Sequence, residues 1–116
     1  MSEERISADY LKDITDEINR IESFIAGLTY DEFIKDEKKV YAVIRCFEII
    51  GEAVKNIPAQ VKERYPLVPW KRMSGMRDKL IHEYFGVDCE TLWRTIKKRI
   101  PEIKPMVENI ARQAES

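Results

Sequence analysis

Along the first quarter of the chain apolar residues recur at steps of three and four: Tyr10, Leu11, Ile14, Ile18, Ile21, Phe24, Ile25 and Leu28. On a helix of 3.6 residues per turn these positions form one stripe. The pattern predicts a helix over residues 7–27, with Gly27 suited to its stop. Thr29 and Glu32 then have the spacing of a capping box, so a second helical stretch starts there. It is interrupted around the charged KDEKK and continues over residues 40–57. Val40, Val43, Ile44, Phe47, Ile50 and Val54 make the main stripe of that helix, and Ala42, Cys46, Ile49 and Ala53 widen it. A helix apolar over more than half its girth is central to its own domain or covered by a second chain as well.

Pro58 ends this helix, and residues 58–70 hold three prolines, so they read as the main loop, with a short helical turn over 62–64. A third helix is expected over residues 70–84. Gly75 inside it suggests close packing, Gly86 its stop, and Asp88 the N-cap of a fourth helix over 89–99. Pro101 starts or kinks a final segment with Ile103, Met106, Val107 and Ile110 on its apolar side. Four or five helices joined by short loops imply an all-α fold, an antiparallel helical bundle. Only four glycines in 116 residues agree with helices over strands, and 116 residues make one domain, 1–116, large enough to need no metal or disulfide staple.

Charge narrows the function classes. Twenty basic and 21 acidic residues leave a net charge of −1, so no global basic excess points to nucleic acid. Any RNA contact must come from a local patch or a site shared between subunits. Lys62, Arg64, Lys71, Arg72, Arg77 and Lys79 cluster around the third helix, and Lys97, Lys98 and Arg99 form a second run whose plain reading is a solvated helix face. The two cysteines, Cys46 and Cys89, read as free thiols in a reducing compartment. The polar N-terminus is no signal peptide and no apolar run would span a bilayer, so a cytoplasmic protein is expected. One histidine and no cysteine pair make a dedicated zinc site unexpected.

That histidine lies in MRDKLIHEYFG, residues 76–86. On a helix, Asp78 and His82 are neighbours four residues apart, so the carboxylate would hold one ring nitrogen and turn the other outward. Arg77 and His82 lie about 140° apart on the same helix, and a second copy of the chain could complete the site. Imidazole titrates near neutral pH and suits proton removal from a 2′-hydroxyl, while guanidinium matches phosphate oxygens in a bidentate fork. The plain alternative is structural: a histidine near a helix C-terminus interacting with its dipole, with Tyr84 as core. Spacing alone favours that alternative. Glu48 and Glu52 share a helix face and read as structural partners of Arg45, Lys55 or an arginine of another chain. Gly51 reads as a point of close helix approach. Trp70 and Trp93 read as core, with Trp70 alternatively bordering an RNA groove.

The wider context of these residues is similar to a known family. GMRDKLIHEYFGVD resembles the signature of HepT-like toxins of the HEPN superfamily, small all-helical ribonucleases: arginine, a polar residue, histidine and then x-Tyr. Arg77, Asp78, His82 and Tyr84 match those positions, with aspartate where relatives often have asparagine. RCFEIIGEAVKNIP, PLVPWKRMSGMRD and LWRTIKKRIPEI resemble further family segments, so the similarity runs from about residue 11 to 110. The resemblance implies a homodimer whose two Arg–His pairs meet in a shared cleft. It implies cleavage of RNA, including tRNA, without metal or other cofactor. Arg77 and His82 are then catalytic and Asp78 supports them. It also implies a type VII-like toxin–antitoxin pair, whose MntA-like minimal nucleotidyltransferase antitoxin transfers AMP from ATP to Tyr84. AMP would bring bulk and negative charge beside Arg77 and His82. A second class of function remains open, a non-catalytic subunit that binds a nucleotidyltransferase or a nucleotide.

Overall fold

Helix α1 (Glu3–Ile25) buries its stripe as the spacing requires: Leu11, Ile14, Ile18 and Ile21 have no exposed surface. Each such side chain contributes about 1.5–3 kcal/mol on burial, against at most about 0.7 kcal/mol for its weaker helix propensity. Packing therefore holds α1. The computed structural model describes residues 3–82 and 86–115, with the side chains of 7–80 and 86–114. Gly27, at φ 75°, turns the chain out of α1, and the Leu28 amide closes the end on the Ile25 carbonyl.

The Thr29–Glu32 capping box is present on α2 (Tyr30–Lys35) with both reciprocal bonds formed, at 3.0 and 3.2 Å. Asp36 ends α2 and also caps α3 (Glu37–Asn56), its carboxylate accepting from the Lys39 amide. α3 is the central helix. It packs against α1 on one side and α5 (Trp70–Leu80) on another, which buries its main stripe with Cys46 and Ala53 and leaves Ala42 and Ile49 half-buried. Between them α4 (Ala59–Arg64) occupies the proline-rich stretch. Trp70 fastens that stretch: its buried indole Nε1 donates to the carbonyls of Lys62 and Tyr65.

α5 ends at Leu80, four residues short of the expected Tyr84. Ile81–His82 (β1) instead pairs antiparallel with Gly86–Val87 (β2), His82 opposite Gly86. The Leu80 carbonyl, which a continuing helix would have given to residue 84, accepts the Asp88 amide at 2.8 Å. Gly86 at φ 78° lets the chain return for that bond. Asp88 then caps α6 (Cys89–Arg94) as expected, accepting from the Thr91 amide and hydroxyl.

A π turn, Thr95–Arg99, follows, closed by the Ile100 amide on the Thr95 carbonyl. It leads directly into α7 (Ile100–Glu115), so the fourth and final expected segments run on without a loop. Pro101 and Pro105 both stand on the exposed side of α7. The result is an all-α bundle of four longer helices, α1, α3, α5 and α7, joined by short ones. No helix among the described residues is long and apolar enough to cross a membrane.

Both cysteines are free. Burial, with Glu17 nearby, pushes the Cys46 thiol up to about 12, whereas Cys89 is half-buried and raised more modestly by burial and Asp88. Thiolate is the reactive form. Labelling native protein with an aromatic disulfide at pH 8 should therefore modify Cys89 and spare Cys46, with both modified after unfolding. Equal rates at the two sites would contradict this burial pattern.

Candidate active site

The close approach of α3 and α5 creates the site. A Cβ on Gly51 would stand 3.1 Å from the Ser74 carbonyl oxygen and 3.6 Å from that of Met73, so glycine lets the two backbones approach more closely than a larger residue would without a shift. Gly75 behaves differently: a Cβ on it would meet nothing within 4 Å, so the close contact expected at Gly75 is supplied by Gly51 across the interface. Beside this contact lies a cleft of about 370 Å³, with Arg45, Glu48, Glu52 and Lys55 from α3 facing Ser74, Arg77 and Asp78 from α5.

Arg77 is half-exposed at the edge of the cleft. Its Nε stands 3.7 Å from Glu48 Oε2 and its terminal nitrogen 3.6 Å from Asp78 Oδ1. Both are ion pairs too long to be hydrogen bonds, so the two carboxylates orient the guanidinium without consuming its donors. A bidentate fork for a phosphate is still on offer. Glu48 therefore belongs to the site through an arginine of its own chain, 29 positions away. Sequence spacing marked Glu48 as a partner for a cation, with Arg45, Lys55 or an arginine of another chain as the candidates, and did not single out Arg77.

The termination of α5 changes the expected relation of Asp78 to His82. The two are not successive-turn neighbours on a helix, because the helix has ended between them. Asp78, 77% exposed at its side chain, pairs with Arg77. The backbone of His82 is held in β1, while its side chain, and Tyr84 altogether, lie outside the described residues. Arginine and histidine thus come from two different elements, one helical and one extended.

The opposite side of α5 presents Arg72, Met76 and Lys79 to a second groove of about 410 Å³, closed by Thr91, Arg99 and Met106 among others. The cluster of cations around α5 is therefore split by helix phase, Arg77 to one cleft and Arg72 with Lys79 to the other. Among the described residues the second groove has an aliphatic floor with no aromatic ring, and its two threonine hydroxyls already donate internally, Thr91 to Asp88 and Thr95 to the Thr91 carbonyl.

Comparison with known proteins follows the same boundaries. The family model "Ribonuclease HepT-like" matches residues 14–110. A Methanocaldococcus jannaschii protein named "Putative RNase MJ1216" is 50% identical over 106 residues, covering 91% of this chain and 88% of its own. A Thermococcus cleftensis protein named "Probable ribonuclease HepT" is 49% identical over 106 residues, covering 91% of this chain and 96% of its own. No solved structure matches the chain.

Proposed function

The chain belongs to the HepT-like ribonuclease family of the HEPN superfamily, and from that premise we propose that it is a metal-independent endoribonuclease and the toxin of a two-component pair. The observation that carries this reading is Arg77 at the edge of a cleft, oriented by Glu48 and Asp78 with no side-chain hydrogen bond to another described residue. In the proposed reaction His82 removes the proton of a ribose 2′-hydroxyl. The 2′-oxygen attacks the adjacent phosphorus, Arg77 holds the non-bridging oxygens as their charge grows, and the 5′-oxygen leaves with a proton. The products are a 2′,3′-cyclic phosphate and a 5′-hydroxyl. Two copies, each bringing one Arg77 and one His82 to a common cleft, would supply both the base and the acid.

The partner in this reading is a MntA-like minimal nucleotidyltransferase. It joins the Tyr84 oxygen to the α-phosphorus of ATP and releases pyrophosphate. The added phosphate competes with RNA for Arg77 and silences the site. A second reading, a non-catalytic subunit binding a nucleotidyltransferase or a nucleotide, draws support from Asp78 and Glu48, whose negative charges flank the phosphate position.

One experiment separates the two. Purified protein is incubated with total tRNA in EDTA, and the product ends are analysed. Cyclic phosphate ends are expected, and they are expected to vanish after preincubation with a minimal nucleotidyltransferase and ATP but to persist in the Tyr84→Phe variant. Intact tRNA at high protein concentration would favour the non-catalytic reading.

A further inference from the structure

Away from the cleft, α2 and α6 bring aromatic and basic side chains together. Trp93 packs on Phe33 with ring centroids 5.2 Å apart and on Tyr30 at 6.0 Å. Phe33 is fully buried, but Trp93 and Tyr30 are only partly so, and both open into a concavity of about 350 Å³ with Arg94, Lys97 and Lys98. The Lys97 ammonium sits over the Trp93 ring, 4.9 Å from its centroid. That ring face is therefore covered by a flexible exposed side chain rather than by the packed core. Among the described residues no carboxylate lies within ion-pair distance of Arg94, Lys97 or Lys98. Among the described residues, Glu90 is the single acidic side chain lining the concavity.

This grouping is local in a chain whose overall charge is −1. It also falls on the irregular part of the helix. The π turn Thr95–Arg99 carries Lys97 and Lys98 and inserts a residue between α6 and α7, a distortion that recurs at functional sites. Cations that track a phosphate backbone, set beside ring faces on which bases stack, are the elements of a single-stranded nucleic-acid platform.

We propose that Trp93 and Tyr30, with Arg94, Lys97 and Lys98, form an accessory binding site for single-stranded RNA, separate from the Arg77 cleft. The proposal rests on the reading of the chain as a protein that acts on RNA, and it adds a second place where RNA is held. The backbone is gripped by the three cations. A base lies on the Trp93 face after Lys97 swings aside.

The test uses the wild-type chain and a 2′-O-methyl oligonucleotide of about twelve nucleotides, within the range single-strand sites cover. This ligand has no free 2′-hydroxyl, so its binding is read independently of whether Arg77 and His82 cleave. Fluorescence anisotropy is measured against salt concentration. Lys97→Ala/Lys98→Ala should reduce the slope of log affinity on log salt by about 1.4, which is about a 25-fold loss at 0.1 M salt. Both side chains are exposed, so the fold should be unaffected. Trp70 is buried and doubly bonded, so quenching of tryptophan emission by the oligonucleotide reports on Trp93. Inorganic polyphosphate, which has charge but no bases, should leave that emission unchanged. An unaltered salt slope in the double variant, or equal quenching by polyphosphate, would overturn the proposal.

Discussion

Replacing Arg77 with alanine should lower RNA cleavage by about a hundred- to a thousandfold, the usual cost of removing a donor aimed at developing charge. His82→Ala should lower it by about a hundred- to ten-thousandfold, the usual contribution of a positioned general base. Both variants should keep the wild-type melting temperature to within a few degrees. The Arg77 side chain is 46% exposed and its ion pairs at 3.7 and 3.6 Å are surface pairs, worth about 0–1 kcal/mol. Arg77→Lys distinguishes charge from shape. Lysine keeps the cation but loses the planar fork, so it should recover little of the activity if the arginine grips two phosphate oxygens at once. The measurement is initial cleavage rate on a labelled RNA in EDTA, beside a thermal melt of each variant. Either alanine variant cleaving at the wild-type rate would remove that residue from the catalytic assignment.

The second large effect is expected at Gly51, which nobody would choose from chemistry. Alanine there gains about 1 kcal/mol of helix propensity but forces its Cβ against the Ser74 carbonyl at 3.1 Å. Overpacking of that kind costs about 1–3 kcal/mol, so Gly51→Ala should be mildly destabilising. Gly51→Val adds two methyl groups at the same contact and gains less propensity. It should cost about 2–4 kcal/mol, a fall in melting temperature of about 4 °C or more per kcal/mol. The obstacle is backbone, which cannot rotate away as a side chain would, so α3 and α5 must move apart. Glu48 then withdraws from Arg77, and cleavage should fall further than the folded fraction does. A Gly51→Val protein with wild-type melting and wild-type rate would show that the two helices do not meet at this point.

Features settled within a few residues were legible in the sequence, and those that join distant segments were not. The Thr29–Glu32 box and the Asp88 cap were legible because each is settled within four residues. The stripe of α1 was legible because burial follows helical period. Gly51 was legible as a close approach, though its partner was not. The end of α5 was hidden: Leu80, Ile81, Tyr84 and Phe85 continue a helix-like apolar pattern, and what stops the helix is the Leu80–Asp88 bond, which forms only once the chain has turned back at Gly86. The approach of Glu48 to Arg77 and the packing of Trp93 on Tyr30 and Phe33 were equally hidden, since each joins helices distant in sequence. The lysine run at 97–98, plain as a solvated face by spacing, changes meaning only when the aromatic rings beside it are seen.

The short β1–β2 ladder divides the labour of the motif. Arg77 stands on a helix welded to the bundle through α3, whereas His82 is held by a ladder only two residues long. Ladders of that length have little stability of their own. Opening this ladder would shift the His82 backbone without disturbing the α3–α5 contact that holds Arg77. Arginine and histidine are thus held with unequal firmness, the one by the core and the other by a few backbone bonds.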